Sequence, residues 1–79
     1  MKPHWVNVCE REPKLDQEVQ VLVIRLGSHI EYAKATPTDR GWVFAAEPLP
    51  GQIVAWLESD YFLDEQEIRA VPKDVIRAS

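Results

Sequence analysis

Residues 18–26 read "EVQVLVIRL", and this stretch decides the fold. Valine and isoleucine dominate it, and β-branched side chains pack well on the pleated surface of a strand. Val19, Val21 and Val23 fall on one side of an extended chain, with Glu18 and Gln20 on the other. Leu22, Ile24 and Leu26 then make that second side apolar as well. A strand that passes from one-sided to two-sided burial belongs in the middle of a sheet, with a covering element over its C-terminal half.

Downstream, Gly27-Ser28 reads as a two-residue hairpin turn, because glycine accepts positive φ. The next strand is expected at residues 29–36, "HIEYAKAT", with Ile30 and Tyr32 on one face and Glu31, Ala33 and Ala35 on the other. Its alanines leave room for a bulky neighbour such as a tryptophan. Residues 37–41, "PTDRG", read as a turn. A third strand follows at residues 42–46, "WVFAA", with Trp42 and Phe44 on one face. Two prolines and a glycine exclude residues 47–51, "EPLPG", from a central strand or an ordinary helix. Residues 53–57, "IVAWL", make a fourth strand. Strands in this order form an antiparallel meander in which sequence neighbours are neighbours in space.

The tail changes character. Residues 64–70, "DEQEIRA", read as a short helix with Asp64 as N-cap and Glu67 at the reciprocal capping-box position. Pro72 stops it, and residues 71–76 begin a further turn. Tyr61, Phe62, Leu63, Ile68, Val71, Val75 and Ile76 supply anchors that dock the tail on one sheet face, which a small sheet needs covered. The expected fold class is α+β: an antiparallel sheet of about four strands with a short C-terminal helical segment packed on one face. One domain spans residues 1–79, with a β core over 4–57 and an acidic, helical tail over 58–79.

Composition narrows the function. The 79 residues are 46% hydrophobic, too apolar for a disordered chain. A net charge of −4 excludes a polybasic surface, so direct nucleic-acid binding is not expected. The same charge is too mild for a DNA mimic. A single cysteine allows no intrachain disulfide, which fits a reducing compartment. The start, Met1-Lys2-Pro3-His4, reads without a secretory leader. The densest apolar run, Val21-Leu22-Val23-Ile24, is far short of a membrane span. A cytoplasmic protein is expected.

Chemistry has few candidates. Cys9 sits between Val8 and acidic Glu10, whereas a reactive thiolate needs an electropositive setting; it is expected as a small apolar gap-filler. His4 and His29 lie 25 positions apart (29 − 4), and no close ligand pair is present, so no metal site is expected. Gly27, Gly41 and Gly51 stand singly and make no phosphate loop. Glu58, Asp60, Asp64, Glu65 and Glu67 read as a solvated acidic face around a helix N-terminus. An acid–base pair would need one carboxylate desolvated. What this face offers is a docking surface for a basic partner. Of Trp5, Trp42 and Trp56, two are expected in the core and one at least partly exposed. No catalytic residue and no cofactor is expected.

Four pieces taken in order resemble a known family. They are Trp5-Val6-Asn7-Val8-Cys9-Glu10-Arg11-Glu12-Pro13, Val19-Gln20-Val21-Leu22-Val23, Gly41-Trp42 and Ile53-Val54-Ala55-Trp56. The family is a small group of uncharacterised phage and prophage proteins known as domain of unknown function 551. The resemblance spans residues 4–57, and its opening motif is the most specific part. Two departures stand out. Glu12 occupies the position where the family usually has leucine, and Trp56 is followed by Leu57-Glu58-Ser59-Asp60 in place of a proline-rich ending. The tail from Asp60 onward lies outside the pattern.

The resemblance implies a phage- or prophage-encoded accessory protein in the cytoplasm of a bacterial host. It carries no catalytic residues. Such a protein is expected to bind a host or phage protein, for example as a counter-defence inhibitor of a bacterial immune complex, through Glu58, Asp60, Asp64, Glu65 and Glu67. The signature residues Trp5, Glu10, Arg11, Pro13, Trp42 and Trp56 are assigned to structure, with Arg11 pairing with a carboxylate. One alternative is a small-molecule binder that stacks a nucleotide-like ligand on Trp42 or Trp56. Another is a small enzyme built on Cys9 or His4. Open sheet edges also invite self-pairing, so a homodimer stays open.

Overall fold

The computed structural model describes residues 2–25, 29–47 and 50–73. Within them lie β1 (His4–Asn7), β2 (Val19–Arg25), β3 (His29–Thr38), β4 (Gly41–Phe44), β5 (Gln52–Glu58) and α1 (Glu65–Ala70). The strands form one antiparallel sheet in the order β1-β5-β2-β3-β4.

The expected mixed architecture holds, with one strand more and a different order. β2, β3 and β4 are a meander, but β5 does not continue it. It returns to the other edge of β2, pairing Val21 with Trp56 and Leu22 with Ala55. β1 then pairs outside β5, with Trp5 opposite Leu57 and Val6 opposite Trp56. A four-strand meander would have left β2 at an edge. Its two apolar faces and its unpaired backbone groups are better satisfied in the middle, where Val21, Leu22 and Val23 are completely buried. Burying each such side chain contributes roughly 1.5–3 kcal/mol.

The two faces of β2 seed two cores. On one, Leu22 packs with Trp5, Ala55 and Leu57, covered by Leu63, Ile68 and Val71 from the tail. On the other, Val19, Val21 and Val23 pack with Val6, Ala35 and Trp56, flanked by Trp42, Phe44 and Ala33. The small alanines of β3 do lie beside tryptophan rings. Trp5 and Trp56 are core residues and Trp42 is half-buried.

α1 has only six residues, too few to persist alone, and both local and tertiary features hold it. The Asp64 carboxylate accepts from the Glu67 backbone N–H at 2.8 Å, and Glu67 Oε1 accepts from the Asp64 N–H at 3.3 Å. This is the expected capping box. Ile68 is its buried anchor.

Several boundaries moved. β3 runs through Pro37 to Thr38, so the turn narrows to Asp39-Arg40. Pro37 lies beyond the start of β2, where no ladder donor is required, and its carbonyl accepts from Asp16 N–H at 2.8 Å. β4 ends at Phe44, and Ala45 and Ala46 are exposed bends. Cys9 fills no gap. It is exposed in the turn after β1, where its N–H donates to the Asn7 side-chain oxygen at 2.8 Å. Gly51 closes the approach to β5 at φ +131°, and a Cβ there would collide with the Ile24 carbonyl. The 27–28 turn, Leu26, Pro48, Val75 and Ile76 lie outside the described residues. Among the described residues, no helix is long and apolar enough to cross a membrane.

Candidate functional site

The N-terminal signature folds into a clasp on β5. Arg11 Nη1 lies 2.7 Å from Glu58 Oε2, and His4 Nε2 lies 2.9 Å from Glu58 Oε1. The Arg11 carbonyl accepts from Trp56 Nε1–H at 2.8 Å, and its guanidinium sits over the Trp56 ring at 5.2 Å. Pro13 is buried just beyond. The carboxylate that Arg11 pairs with is therefore Glu58, 47 positions away (58 − 11). The hydrogen bond from Arg11 holds the Glu58 carboxyl below the usual carboxylate range; partial burial opposes this, and the charges of Arg11 and His4 add to it. The same pairing raises the Arg11 guanidinium above its usual value.

This assembly joins strands β1 and β5 to the loop that leads into β2. Both Glu58 oxygens, the Arg11 carbonyl and the Trp56 indole N–H are engaged in holding it together. Trp56 is 5% exposed, with Arg11 across its ring, which leaves no free face on which a nucleobase could stack.

The five acidic positions do not form one patch. Glu58 belongs to the clasp. Asp60 lines a shallow groove of about 250 Å³ with Tyr61, Phe62 and Gln17. Asp64 and Glu67 complete the capping box, and Glu65 pairs with Arg69 at 3.0 Å one helical turn away. Of the five, only Asp64 and Glu65 reach a groove of about 490 Å³ between α1 and β3.

That groove has a distinct build. Ile30, Tyr32 and Ile68 give it apolar surface, and Lys34, Asp64, Glu65 and Arg69 ring it with charge of both signs. Tyr32 is its pivot. Its ring stacks on Trp5 at 6.0 Å, and Arg69 and Lys73 approach it at 5.7 and 5.6 Å. Lys34 Nζ lies 4.7 Å from the Phe62 ring centre. Phe62 and Tyr61 are themselves 47% and 56% exposed and line the groove that holds Asp60. Of the five acidic residues that sequence reasoning named, Asp64 and Glu65 line this groove, and the reasoning missed Lys34, Tyr32 and Arg69. They come from β3 and α1, and only the docked tail brings them together.

Trp42 lines neither this groove nor the others described. Among the described residues, no group of three or more His, Cys, Asp or Glu side chains is placed to hold a metal ion. Comparison with protein-family models, curated proteins and solved structures finds no match to this chain.

Proposed function

We propose that this chain is a phage- or prophage-encoded accessory protein that acts by binding another protein in the bacterial cytoplasm, without catalysis of its own. The observation that carries the binding reading is the groove between α1 and β3. It combines apolar surface from Ile30, Tyr32 and Ile68 with a rim of both charge signs. Exposed Tyr61 and Phe62 line a second groove that shares Gln20 and is counted with it, and together these make the anatomy of a protein contact. The phage context rests on the motif of residues 4–57. Inhibition of a bacterial defence complex is one form such binding takes. The contact set shifts from a purely acidic face to Asp64 and Glu65 together with Lys34, Tyr32 and Arg69.

The test exchanges the Glu65–Arg69 pair. Glu65→Arg with Arg69→Glu keeps an i,i+4 ion pair on α1 but inverts the charge pattern of the rim. The tagged chain is used to capture partners from lysate of a bacterial host, read by quantitative mass spectrometry. A specific protein that is retained by the natural chain and lost by the exchanged one supports the reading. Capture of no specific protein, or of one indifferent to the exchange, counts against it. Asp64 is left unchanged because it caps the helix.

A further inference from the structure

Among the described residues, β3 is paired on both sides only at Lys34 and Ala35. β2 covers its inner edge from His29 to Ala35. β4 covers its outer edge only from Ala35 to Thr38, with Ala45 N–H donating to the Lys34 carbonyl just beyond. Among the described residues, no strand pairs with the outer edge of residues 29–33. In an antiparallel ladder, alternate residues turn both N–H and C=O to the same side. Lys34 turns its carbonyl outward toward β4, so Ile30 and Tyr32 turn theirs outward too. These groups form a template for another strand.

Among the described residues, the stretch lacks several of the usual defences of an edge. No proline, glycine or bulge interrupts residues 29–33. Ile30 is 38% exposed, and the one carboxylate, Glu31, is paired with Arg25 of β2.

We propose that this edge pairs antiparallel with the same edge of a second copy of the chain, about a two-fold axis at Ile30. The sequence of the edge is its own complement in that register. Ile30 meets the partner's Ile30 on the face that carries the α1 groove. On the opposite face, His29 stands across from the partner's Glu31, and Glu31 from the partner's His29. Both are non-hydrogen-bonded positions, where side chains approach most closely. Each Glu31 then lies between Arg25 of its own chain and an imidazole of the other. Moving the axis to Glu31 would set two carboxylates face to face, which is destabilising. The result is one continuous sheet across both copies, with the two α1–β3 grooves side by side. This goes beyond the protein-binding reading and does not depend on it.

The experiment uses the full chain with Cys9→Ser. Sedimentation equilibrium over a wide concentration range is expected to show a monomer–dimer equilibrium. Added Ile30→Cys is expected to give a disulfide-linked dimer on mild oxidation, because facing Cα atoms in such a pair lie about 5.5 Å apart, within disulfide reach. Val43→Cys, exposed on β4, is expected to stay uncrosslinked. His29→Glu places like charges opposite each other twice per dimer and is expected to weaken dimerisation about tenfold. An unchanged circular-dichroism spectrum, and an unchanged Tm at concentrations where both proteins are monomeric, show that the fold survives. A monomer at every concentration overturns the proposal. So does a dimer that crosslinks through Glu31→Cys or Val43→Cys but not through Ile30→Cys.

Discussion

Gln20 and Leu63 are joined by two hydrogen bonds of 2.8 Å each. The Gln20 side-chain amide donates to the Leu63 carbonyl, and its oxygen accepts from the Leu63 N–H. Gln20 is 7% exposed, and this pair is how the tail is latched to the central strand. Leu63 immediately precedes the helix cap Asp64, so the latch also sets where α1 begins.

Gln20→Leu removes both partners at once and leaves the buried Leu63 N–H and C=O unmatched. A loss of about 2–4 kcal/mol is expected, since each unsatisfied buried group costs about 1–3 kcal/mol. Urea unfolding followed by tryptophan fluorescence measures it. A loss below about 0.5 kcal/mol would show that the tail is not held by this pair.

The Arg11–Glu58 pair predicts an acid-sensitive clasp. The folded-state pKa of Glu58 is lowered from 4.5, so its contribution to stability is fully present above that value. It is lost as pH falls from about 4.5 through the lower folded value. Glu58→Gln should flatten this part of the Tm–pH curve relative to the natural chain. The pair is exposed enough for salt to screen it, so the difference should shrink at high ionic strength. Parallel curves for the two proteins below pH 4.5 would contradict the assignment.

Trp5 is 2% exposed beneath Leu63, Ile68 and Val71, and its indole N–H has no hydrogen-bond partner among the described residues. Trp5→Ala is expected to cost about 3–5 kcal/mol through the cavity it leaves. Trp5→Phe keeps a stacked ring against Tyr32 and removes an unsatisfied donor, so it should cost less than half as much. Denaturant midpoints at constant m-value separate the two. Equal losses would mean that the indole N–H is satisfied in solution.

Two glycines share positive φ but not surroundings. Gly41 has φ +111° with open space around a hypothetical Cβ, so Gly41→Ala should cost only the backbone term, about 1 kcal/mol. Gly51, at φ +131°, would also drive its Cβ into the Ile24 backbone and towards the Val23 side chain. Gly51→Ala is expected to cost about 2–4 kcal/mol. Thermal unfolding of the two variants should rank them in that order.

Much of the fold was legible along the chain. The alternation of residues 18–26 marks a two-faced strand, and β2 is the middle strand of the sheet. Asp64 and Glu67 announce a capping box, and it is formed. Trp42 and Phe44 share a face, as their spacing requires. These readings work because helical and strand periodicities are local properties of the backbone.

Other residues were illegible for an equally physical reason. Gln20 reads as solvent-facing beside Glu18, yet it is buried, because its two partners lie on Leu63, 43 positions away. Glu58 reads as part of an acidic face, yet Arg11 and His4 claim both of its oxygens. Periodicity states which way a side chain points and says nothing of which strand lies next to it. The chain by itself determined its strand-forming segments, their apolar faces and its helix cap. Only tertiary structure decided that β5 inserts between β1 and β2, that Arg11 meets Glu58, and that among the described residues no strand pairs with the outer edge of residues 29–33, because each depends on long-range backbone pairing that no local pattern records.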